Sequence, residues 1–265
     1  MKLIFLVNLF WSFAYADTLP VSNPKIPQEL QGVGITENLG KMISIAELSL
    51  KDETDKIVLL SQYFKTKKPV LLGLVYYECP NLCHFLLNGI LTTLKKFPWT
   101  PGNEFEFVLV SIDPKETANL ALNKKESYLN TYNRPKADFH FLTGSQESIQ
   151  KLALQIGFNY RYDAKEKQFA HPAALYVLTD EGKISRYLYG VEFKEQDLRL
   201  ALVEASKGKV GTVIDRILLF CYRYDPKLHT YSLYITRVVQ LSSAFMIFAL
   251  GLYLTVFWIK QRGIC

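Results

Sequence analysis

The order of apolar and polar residues along the chain predicts strands that alternate with helices, between two apolar ends. Residues 69–77 and 105–112 are too continuously apolar for edge strands, so both predict buried central strands. Helical spacing of apolar residues predicts helices over 81–96, 116–132, 145–156 and 195–207. Short apolar runs predict a strand over 139–142 and a hairpin over 173–189 with its loop at 179–182. Ser145 is the expected N-cap of the third helix. This order predicts an α/β sandwich with a mixed, partly parallel central sheet.

The amino-terminal end has the pattern of a secretory signal peptide. Lys2 precedes the apolar run 3–13, which ends at the small-x-small sequence Ala14-Tyr15-Ala16. A spanning helix is the alternative, but the run is shorter than the roughly 20 residues that a bilayer requires. We therefore expect cleavage after residue 16.

The carboxyl-terminal end has the pattern of a membrane anchor. Residues 238–259 are uncharged and long enough to cross a bilayer, and Lys260 and Arg262 follow directly. These charges favour a cytoplasmic tail over 260–265, although Arg223 and Arg237 on the other flank weaken the bias. We expect residues 17–237 to lie outside the cytoplasm, held at the inner membrane by a single span, with the folded domain in the periplasm.

Between these ends the composition divides the chain into three parts. Residues 17–31 contain Pro20, Pro24 and Pro27 without helical or strand periodicity, and predict an extended segment. Residues 32–207 contain all the predicted strands and helices of the folded domain. Residues 208–237 form a juxtamembrane segment.

Composition and charge exclude two broad classes. With 49% hydrophobic residues the chain is not a disordered or fibrous protein. The net charge of +6 includes Lys2, Lys260 and Arg262 at the ends, and removing them leaves 28 basic against 25 acidic residues. No basic cluster is interleaved with aromatic residues, so we expect no nucleic-acid partner.

The candidate chemistry lies where the first central strand turns into a helix, at Cys79-Pro80-Asn81-Leu82-Cys83. Two thiols four residues apart at a helix start share one face, and the positive end of the helix favours their thiolate form. Such a pair suits a redox-active disulfide or a soft metal ion. A structural disulfide is the alternative, but a loop this small stabilises little through chain entropy.

A metal would need a third ligand, and the four histidines are the candidates. His171 directly precedes the predicted strand 173–178, so it reaches the thiol pair if that strand is a neighbour of the first central strand. His84 is adjacent to Cys83 on the helix and points away from Cys79. His140 is expected to be a core or strand histidine, and His229 lies close to the anchor.

These residues resemble a known family. Tyr76-Tyr77-Glu78-Cys79-Pro80-Asn81-Leu82-Cys83, then Ser111-Ile112-Asp113-Pro114-Lys115-Glu116-Thr117, then His171 before a strand and the Asp180-Glu181-Gly182 turn, are similar to the Sco/SenC proteins. These are membrane-anchored, thioredoxin-fold copper chaperones of cytochrome c oxidase assembly. The resemblance implies a thioredoxin-like sandwich, copper as Cu(I) or Cu(II) on Cys79, Cys83 and His171, and a partner in the oxidase subunit that has the copper centre.

The chain departs from the family pattern at three points. His84 replaces the usual proline after the second cysteine, Ala170 replaces the acid that often precedes the ligand histidine, and the anchor is carboxyl-terminal. The last departure suggests a divergent branch of the family.

Two other functions fit the same residues. Cys79 and Cys83 could reduce a disulfide in a partner, with a thioredoxin-like protein as their reductant, and Pro172 occupies the place where thioredoxin-like reductases have a cis-proline. The protein would then be a thiol-disulfide oxidoreductase, whereas under the copper-binding hypothesis it is a metallochaperone. A membrane-held scaffold with a vestigial site is the third possibility, and retention of all three ligand types argues against it.

The remaining candidates have plainer interpretations. Asp113 lies in an Asp-Pro sequence typical of a turn, Cys221 is expected to be a buried thiol, and Cys265 a reduced cytoplasmic one. Met42 and Met246 are the only methionines after the signal peptide, which excludes a methionine-based copper site.

Overall fold

The structure of the protein is a computed structural model that describes residues 31–79, 82–207, 222–225, 230–233 and 235–262. From Gly32 onward these residues belong to one compact unit. The predicted signal peptide, nearly all of the predicted extended segment, His229, Cys221 and Cys265 lie outside the described residues.

Thirteen strands and five α-helices are formed by the described residues. The strands are β1 (Gly34–Ile35), β2 (Ser49–Lys51), β3 (Ile57–Leu59), β4 (Val70–Val75), β5 (Glu106–Ser111), β6 (His140–Leu142), β7 (Phe158–Asn159), β8 (Arg161–Asp163), β9 (Gln168–Ala170), β10 (Ala174–Leu178), β11 (Ile184–Tyr189), β12 (Tyr222–Asp225) and β13 (Thr230–Leu233). The helices are α1 (Leu82–Lys96), α2 (Ala118–Tyr132), α3 (Gln146–Ile156), α4 (Glu195–Ala205) and α5 (Ile235–Arg262).

A five-stranded sheet in the order β11-β10-β4-β5-β6 forms the centre of the domain. β4, β5 and β6 are parallel to one another, while β10 is antiparallel to β4 and β11 is antiparallel to β10. Every residue of β4, β5 and β10 is buried, as expected for strands covered on both faces. The sequence prediction of a mixed α/β sandwich is therefore confirmed.

Close packing across the middle of this sheet explains the glycine in β4. A Cβ atom on Gly73 would lie 2.7 Å from Leu109 Cδ2 and 2.9 Å from Leu175 Cδ2. The leucines of both neighbouring strands occupy the space that a side chain would need, so Gly73 fixes how tightly β5 and β10 pack beside β4.

The helices follow the predictions with small shifts at their ends. Ser145 is the N-cap of α3, and its side chain accepts a hydrogen bond from the backbone N–H of Ser148. α2 begins at Ala118, two residues later than predicted, because the Thr117 hydroxyl caps it by accepting from the N–H of Leu120. Glu116 consequently lies in the loop between β5 and α2.

Apart from the β12–β13 pair before α5, three two-stranded pairings were not predicted. β2 pairs with β3, β8 with β9, and β1 with β7, all antiparallel. Their strands have two or three residues each, which is too short for an alternating pattern to be recognised in the sequence.

The helix α5 covers the whole predicted anchor. In the described part of the chain it is the one helix long and apolar enough to cross a membrane. Its segment Ser242–Ile259 has a mean hydropathy of 1.9, and none of that segment is buried against the protein. The segment just before α5, which the sequence assigned to the membrane approach, includes the β12–β13 hairpin.

Candidate metal centre

The first predicted ligand, Cys79, lies in the short loop between β4 and α1. The loop begins as β4 ends at Val75, and the backbone N–H of Cys79 donates to the carbonyl of Tyr76 at 3.3 Å. α1 starts at Leu82, so Cys83 belongs to its first turn, as the sequence predicted. The side chain of Cys83 lies outside the described part of the structure. The half-buried Cys79 thus lies at the carboxyl edge of the parallel strands.

The second predicted ligand, His171, lies at the same edge because of the sheet topology. β10 runs antiparallel to β4, with Leu175 opposite Gly73, so the residues just before β10 lie beside the residues just after β4. The imidazole of His171 is buried, and its ring centroid lies 6.1 Å from that of Tyr76 in an edge-to-face contact. Tyr76 therefore touches His171 with its ring and Cys79 with its carbonyl group.

The orientation of the imidazole suits a metal ligand. His171 Nδ1 lies 2.9 Å from the carbonyl oxygen of Pro172. An N–H donated from Nδ1 to this carbonyl places the lone pair on Nε2, the arrangement that ligand histidines commonly adopt. Phe158 stacks on the imidazole with its centroid 6.1 Å away, which restricts movement of the ring.

Aromatic side chains connect His171 to the preceding β8–β9 hairpin. Phe169 of β9 contacts the rings of Tyr76, Tyr160 and Tyr162 at centroid distances of 5.6, 5.9 and 5.2 Å. This packing fixes the chain segment that leads into His171 and gives the candidate centre an apolar side. A low-dielectric wall of this kind strengthens interactions between charged ligands and a cation.

The donor chemistry fits copper. A thiol and an imidazole come to one edge of the sheet, and the second thiol belongs to the first turn of α1; sulfur and imidazole nitrogen are the ligands that copper prefers. Within the residues described, no group of three histidine, cysteine or acidic side chains is placed to hold a metal. The side chain of Cys83 is not among the described residues. The complete ligand set therefore stays a prediction.

A buried carboxylate that sequence analysis did not single out supports the Cys79 loop. Glu116 Oε2 accepts from the backbone N–H of Tyr77 at 2.9 Å, and its Oε1 accepts from the N–H of Glu78 at 2.7 Å. The hydroxyl of Ser111 also donates to Oε2. In the sequence Glu116 looked like the first residue of a helix, and only its place in the motif 111–117 could have drawn attention to it.

Burial dominates the electrostatics of this carboxylate. Removal from water raises the pKa of Glu116, and the charge of Asp113 raises it further. The hydrogen bonds from Ser111, Tyr77 and Glu78 oppose this shift without cancelling it.

The other residues that the sequence analysis considered lie on the surface or make ordinary structural contacts. His84 is exposed on α1, and His140 Nε2 lies 3.4 Å from Glu106 Oε2 at the opposite edge of the sheet. Asp113 Oδ1 accepts from the N–H of Lys115 at 2.9 Å, which is the turn predicted for it. The expected parallel between Pro172 and a cis-proline is not found, since the described residues contain no cis peptide bond.

Taken as a class, this is a thioredoxin-like domain with one cysteine in the loop before its first helix, a second in the first turn of that helix, and a histidine just before the strand that pairs antiparallel with β4. The sequence model of the SCO1/SenC family matches residues 45–204, which is more than half of the chain. The chain therefore belongs to the SCO1/SenC family, as the sequence resemblance implied.

Solved structures agree with this fold. A candidate electron transfer protein from Aquifex aeolicus VF5 superposes with a TM-score of 0.56 at 24% identity, covering 65% of this chain and 96% of that chain. BsSco matches with a TM-score of 0.51 at 20% identity, covering 66% and 99%, and a SCO1/SenC family lipoprotein from Bacillus anthracis str. Ames with 0.50 at 14%, covering 66% and 98%. A search of curated protein sequences finds no match.

Proposed function

We propose that this protein is a membrane-anchored, extracytoplasmic copper-binding protein that delivers copper to the copper centre of cytochrome c oxidase during its assembly. Cys79, Cys83 and His171 are the proposed ligands. In this function the protein is a metallochaperone, and copper is the cargo that passes to an oxidase subunit.

The observation that supports this proposal most directly is the convergence of Cys79 and His171. They are far apart in the sequence, yet the pairing of β10 with β4 places them at the ends of adjacent strands, with Tyr76 in contact with both. A reductase needs only the thiols at the start of a helix. A buried imidazole at the same edge of the sheet as Cys79 is an additional ligand type, and a metal site accounts for it.

Family membership supports the biological role. BsSco, which shares this fold, is a member of the Sco family of cytochrome c oxidase assembly proteins. The resemblance of residues 76–83 to the family motif extends that role to this chain.

The ligand set suits a carrier that must also release its ion. Two thiolates favour Cu(I), and an added imidazole also accommodates Cu(II). A site with only three protein ligands leaves room for an acceptor to replace them one at a time. Both oxidation states therefore come within reach of one set of side chains.

The proposed location follows from α5. Its unburied apolar segment is suited to a bilayer, and Lys260 follows it on the side we assign to the cytoplasm. We assign residues 32–207 to the soluble domain in the periplasm, 208–237 to the approach to the membrane, and 238–259 to the span.

The second candidate function is reduction of partner cysteines by the Cys79/Cys83 pair. The position of Cys83 on the first turn of α1 favours it, because the helix terminus stabilises a thiolate without help from His171. Loss of the imidazole therefore separates the two functions.

The experiment uses one set of strains that carry wild-type protein, His171→Ala, or Cys79→Ser with Cys83→Ser. We expect His171→Ala to impair assembly of the oxidase copper centre nearly as strongly as the double cysteine variant, and added copper to restore part of the oxidase activity. His140→Ala is the matched control, because it removes a half-buried histidine from the opposite edge of the sheet.

Dithiol reduction predicts a different pattern. The His171→Ala strain would then keep most of its oxidase, and a membrane-permeant reductant, but not copper, would restore the cysteine-less strain. That result would replace copper delivery with reduction as the function of the same residues.

A further inference from the structure

A single carboxylate binds both peptide N–H groups that immediately precede Cys79. Glu116 reaches from the loop after β5 and accepts from Tyr77 and Glu78 with one carboxylate oxygen each, at 2.9 and 2.7 Å. Successive N–H groups directed at one anion form a rigid local backbone arrangement. The bonds cross from one strand-end loop to the next, since the two segments are 38 and 39 residues apart in sequence.

Stability alone is a poor explanation for this carboxylate. Glu116 is buried, and burial raises its pKa, so the protein keeps an acid where its charged form is disfavoured. Among the described residues, Glu116 forms no ion pair with a lysine, arginine or histidine, and the leading influences on its pKa include no cation. A buried acid without a cationic partner generally lowers stability, so its role is to be sought in the backbone groups that it binds.

What Glu116 holds is the backbone that positions the first thiol. Within this segment, residues 76–79, the Cys79 N–H donates to the Tyr76 carbonyl at 3.3 Å. The Tyr77 hydroxyl fixes the same segment from the other side by donating to the carbonyl of Leu142 at 2.7 Å. The peptide groups of Tyr77 and Glu78 are thus immobilised directly ahead of Cys79.

We propose that Glu116 is a positioning residue that fixes the backbone of residues 76–79 and so presents the Cys79 sulfur in one place for ligand binding and thiol exchange. This inference rests on the proposed function for its copper readout. A binding group must be held by its surroundings to within a fraction of an ångström to be effective. A carboxylate that bonds two consecutive amides provides such a constraint without touching the sulfur.

The test compares Glu116→Gln with Glu106→Gln in the full chain purified in detergent. Both glutamates are buried; Glu106 is the first residue of β5, and Glu116 lies in the loop that follows the strand. A glutamine has one acceptor oxygen and turns an amide NH2 donor toward the second backbone N–H. We expect Glu116→Gln to weaken Cu(I) affinity, measured by competition with a chelator, by about tenfold or more. Glu106→Gln should leave that affinity within twofold of wild type.

A second readout needs no copper. We expect hydrogen exchange at the amides of Tyr77 and Glu78 to accelerate by about tenfold or more in Glu116→Gln, because each amide loses a bond to a charged acceptor. Glu106→Gln should leave their exchange unchanged. Glu116→Asp keeps the charge but shortens the side chain, so it should restore part of both properties; it also serves as the test if Glu116→Gln does not fold.

The outcomes are separable. Cu(I) affinity and amide exchange equal to those of Glu106→Gln would overturn the positioning role and leave Glu116 as an ordinary buried residue. If wild-type protein binds no copper, the proposed function fails, but the exchange rates still decide the role of Glu116. Accelerated exchange together with unchanged Cu(I) affinity would overturn the inference, since the loop would then be free to move without consequence for the thiols.

Discussion

One buried glutamate is the first residue of β5 and another lies in the loop beyond its last residue, and their surroundings differ. At the amino end, Glu106 lies 3.4 Å from both Lys68 Nζ and His140 Nε2. Beyond the carboxyl end, Glu116 accepts hydrogen bonds from two backbone amides and a serine but pairs with no cation among the described residues. The same side chain is thus balanced by charge at one end and by peptide dipoles at the other.

The pKa directions express this difference. Burial works against ionisation of Glu106, but the hydrogen bond with His140 and the charge of Lys68 overcome it and lower its pKa. For Glu116 burial prevails and its pKa is raised. The charges around Glu106, at the amino edge of the parallel strands, therefore stabilise the protein. At the carboxyl edge the buried charge of Glu116 lowers stability, while its hydrogen bonds order the loop that contains Cys79.

More ion pairs surround the amino edge. Lys125 forms ion pairs with Glu53 and, at 2.9 Å, with Asp138, and Asp138 lies near His140. We call these residues the ion-pair cluster, made up of Glu53, Lys68, Glu106, Lys125, Asp138 and His140. If the comparison is correct, substitutions in the ion-pair cluster should lower the free energy of unfolding, and substitutions at the carboxyl edge should weaken copper binding.

The largest expected effect is loss of copper at the carboxyl edge. Cys79→Ser or Cys83→Ser should abolish both Cu(I) binding and the Cu(II)-thiolate absorption, because each removes one of the two sulfur ligands. His171→Ala should keep Cu(I) on the thiolates and lose the Cu(II) absorption. Optical titration with each ion measures both.

The matched control for this prediction is His140→Ala in the ion-pair cluster, which should bind both ions normally. An unchanged Cu(II) spectrum in His171→Ala would remove His171 from the ligand set. Loss of Cu(II) binding in His140→Ala would mean that the two edges are not functionally distinct.

The next effect is a loss of stability in the ion-pair cluster. Lys125→Met leaves Glu53 and Asp138 without their shared cation, and the side chains of Lys125 and Glu53 are only 17% and 10% exposed. Breaking a pair buried to this degree costs about 3–5 kcal/mol in the free energy of unfolding. Denaturant titration of the detergent-purified protein measures the loss, and Cu(I) affinity should not change.

Lys51→Met provides the comparison, since the Lys51–Asp55 pair is exposed and should contribute about 0.5 kcal/mol or less. Equal losses for the two lysine variants would contradict the distinction between the buried cluster and the exposed pair.

The smallest effect is a difference in pH dependence between the two glutamates. Glu106 has a lowered pKa, so its contribution to stability is present above the unfolded value of 4.5 and is lost as the pH falls through its folded pKa. Glu116 has a raised pKa, so the folded state binds its proton more tightly, and stability falls as the pH rises from 4.5 through its folded pKa.

Unfolding free energies of wild type, Glu106→Gln and Glu116→Gln between pH 3 and 8 therefore test the comparison. The difference between wild type and variant should slope in opposite directions for the two substitutions. Slopes of the same sign would show that both carboxylates are balanced in the same way.

The amino-acid sequence was sufficient for the elements that depend on local pattern. The continuous apolar runs in β4 and β5 predicted buried strands, and Ser145 predicted the start of α3, because burial on both faces and capping leave signals within a few residues. The cysteine pair was equally visible, since a strand end, two thiols and a helix start are consecutive in the chain. Short strands such as those of the β8–β9 hairpin left no such signal.

The tertiary structure decided what meets at the carboxyl edge. His171 could be placed beside Cys79 only if β10 pairs antiparallel with β4, and strand pairing depends on contacts between residues about a hundred positions apart. Glu116 was predicted as the first residue of a helix, but the Thr117 cap leaves it in a loop, where its carboxylate reaches Tyr77 and Glu78. The sequence by itself determined which residues carry reactive groups. Their partners were decided by the sheet, because a buried polar group must find its hydrogen bonds wherever folding brings donors within reach.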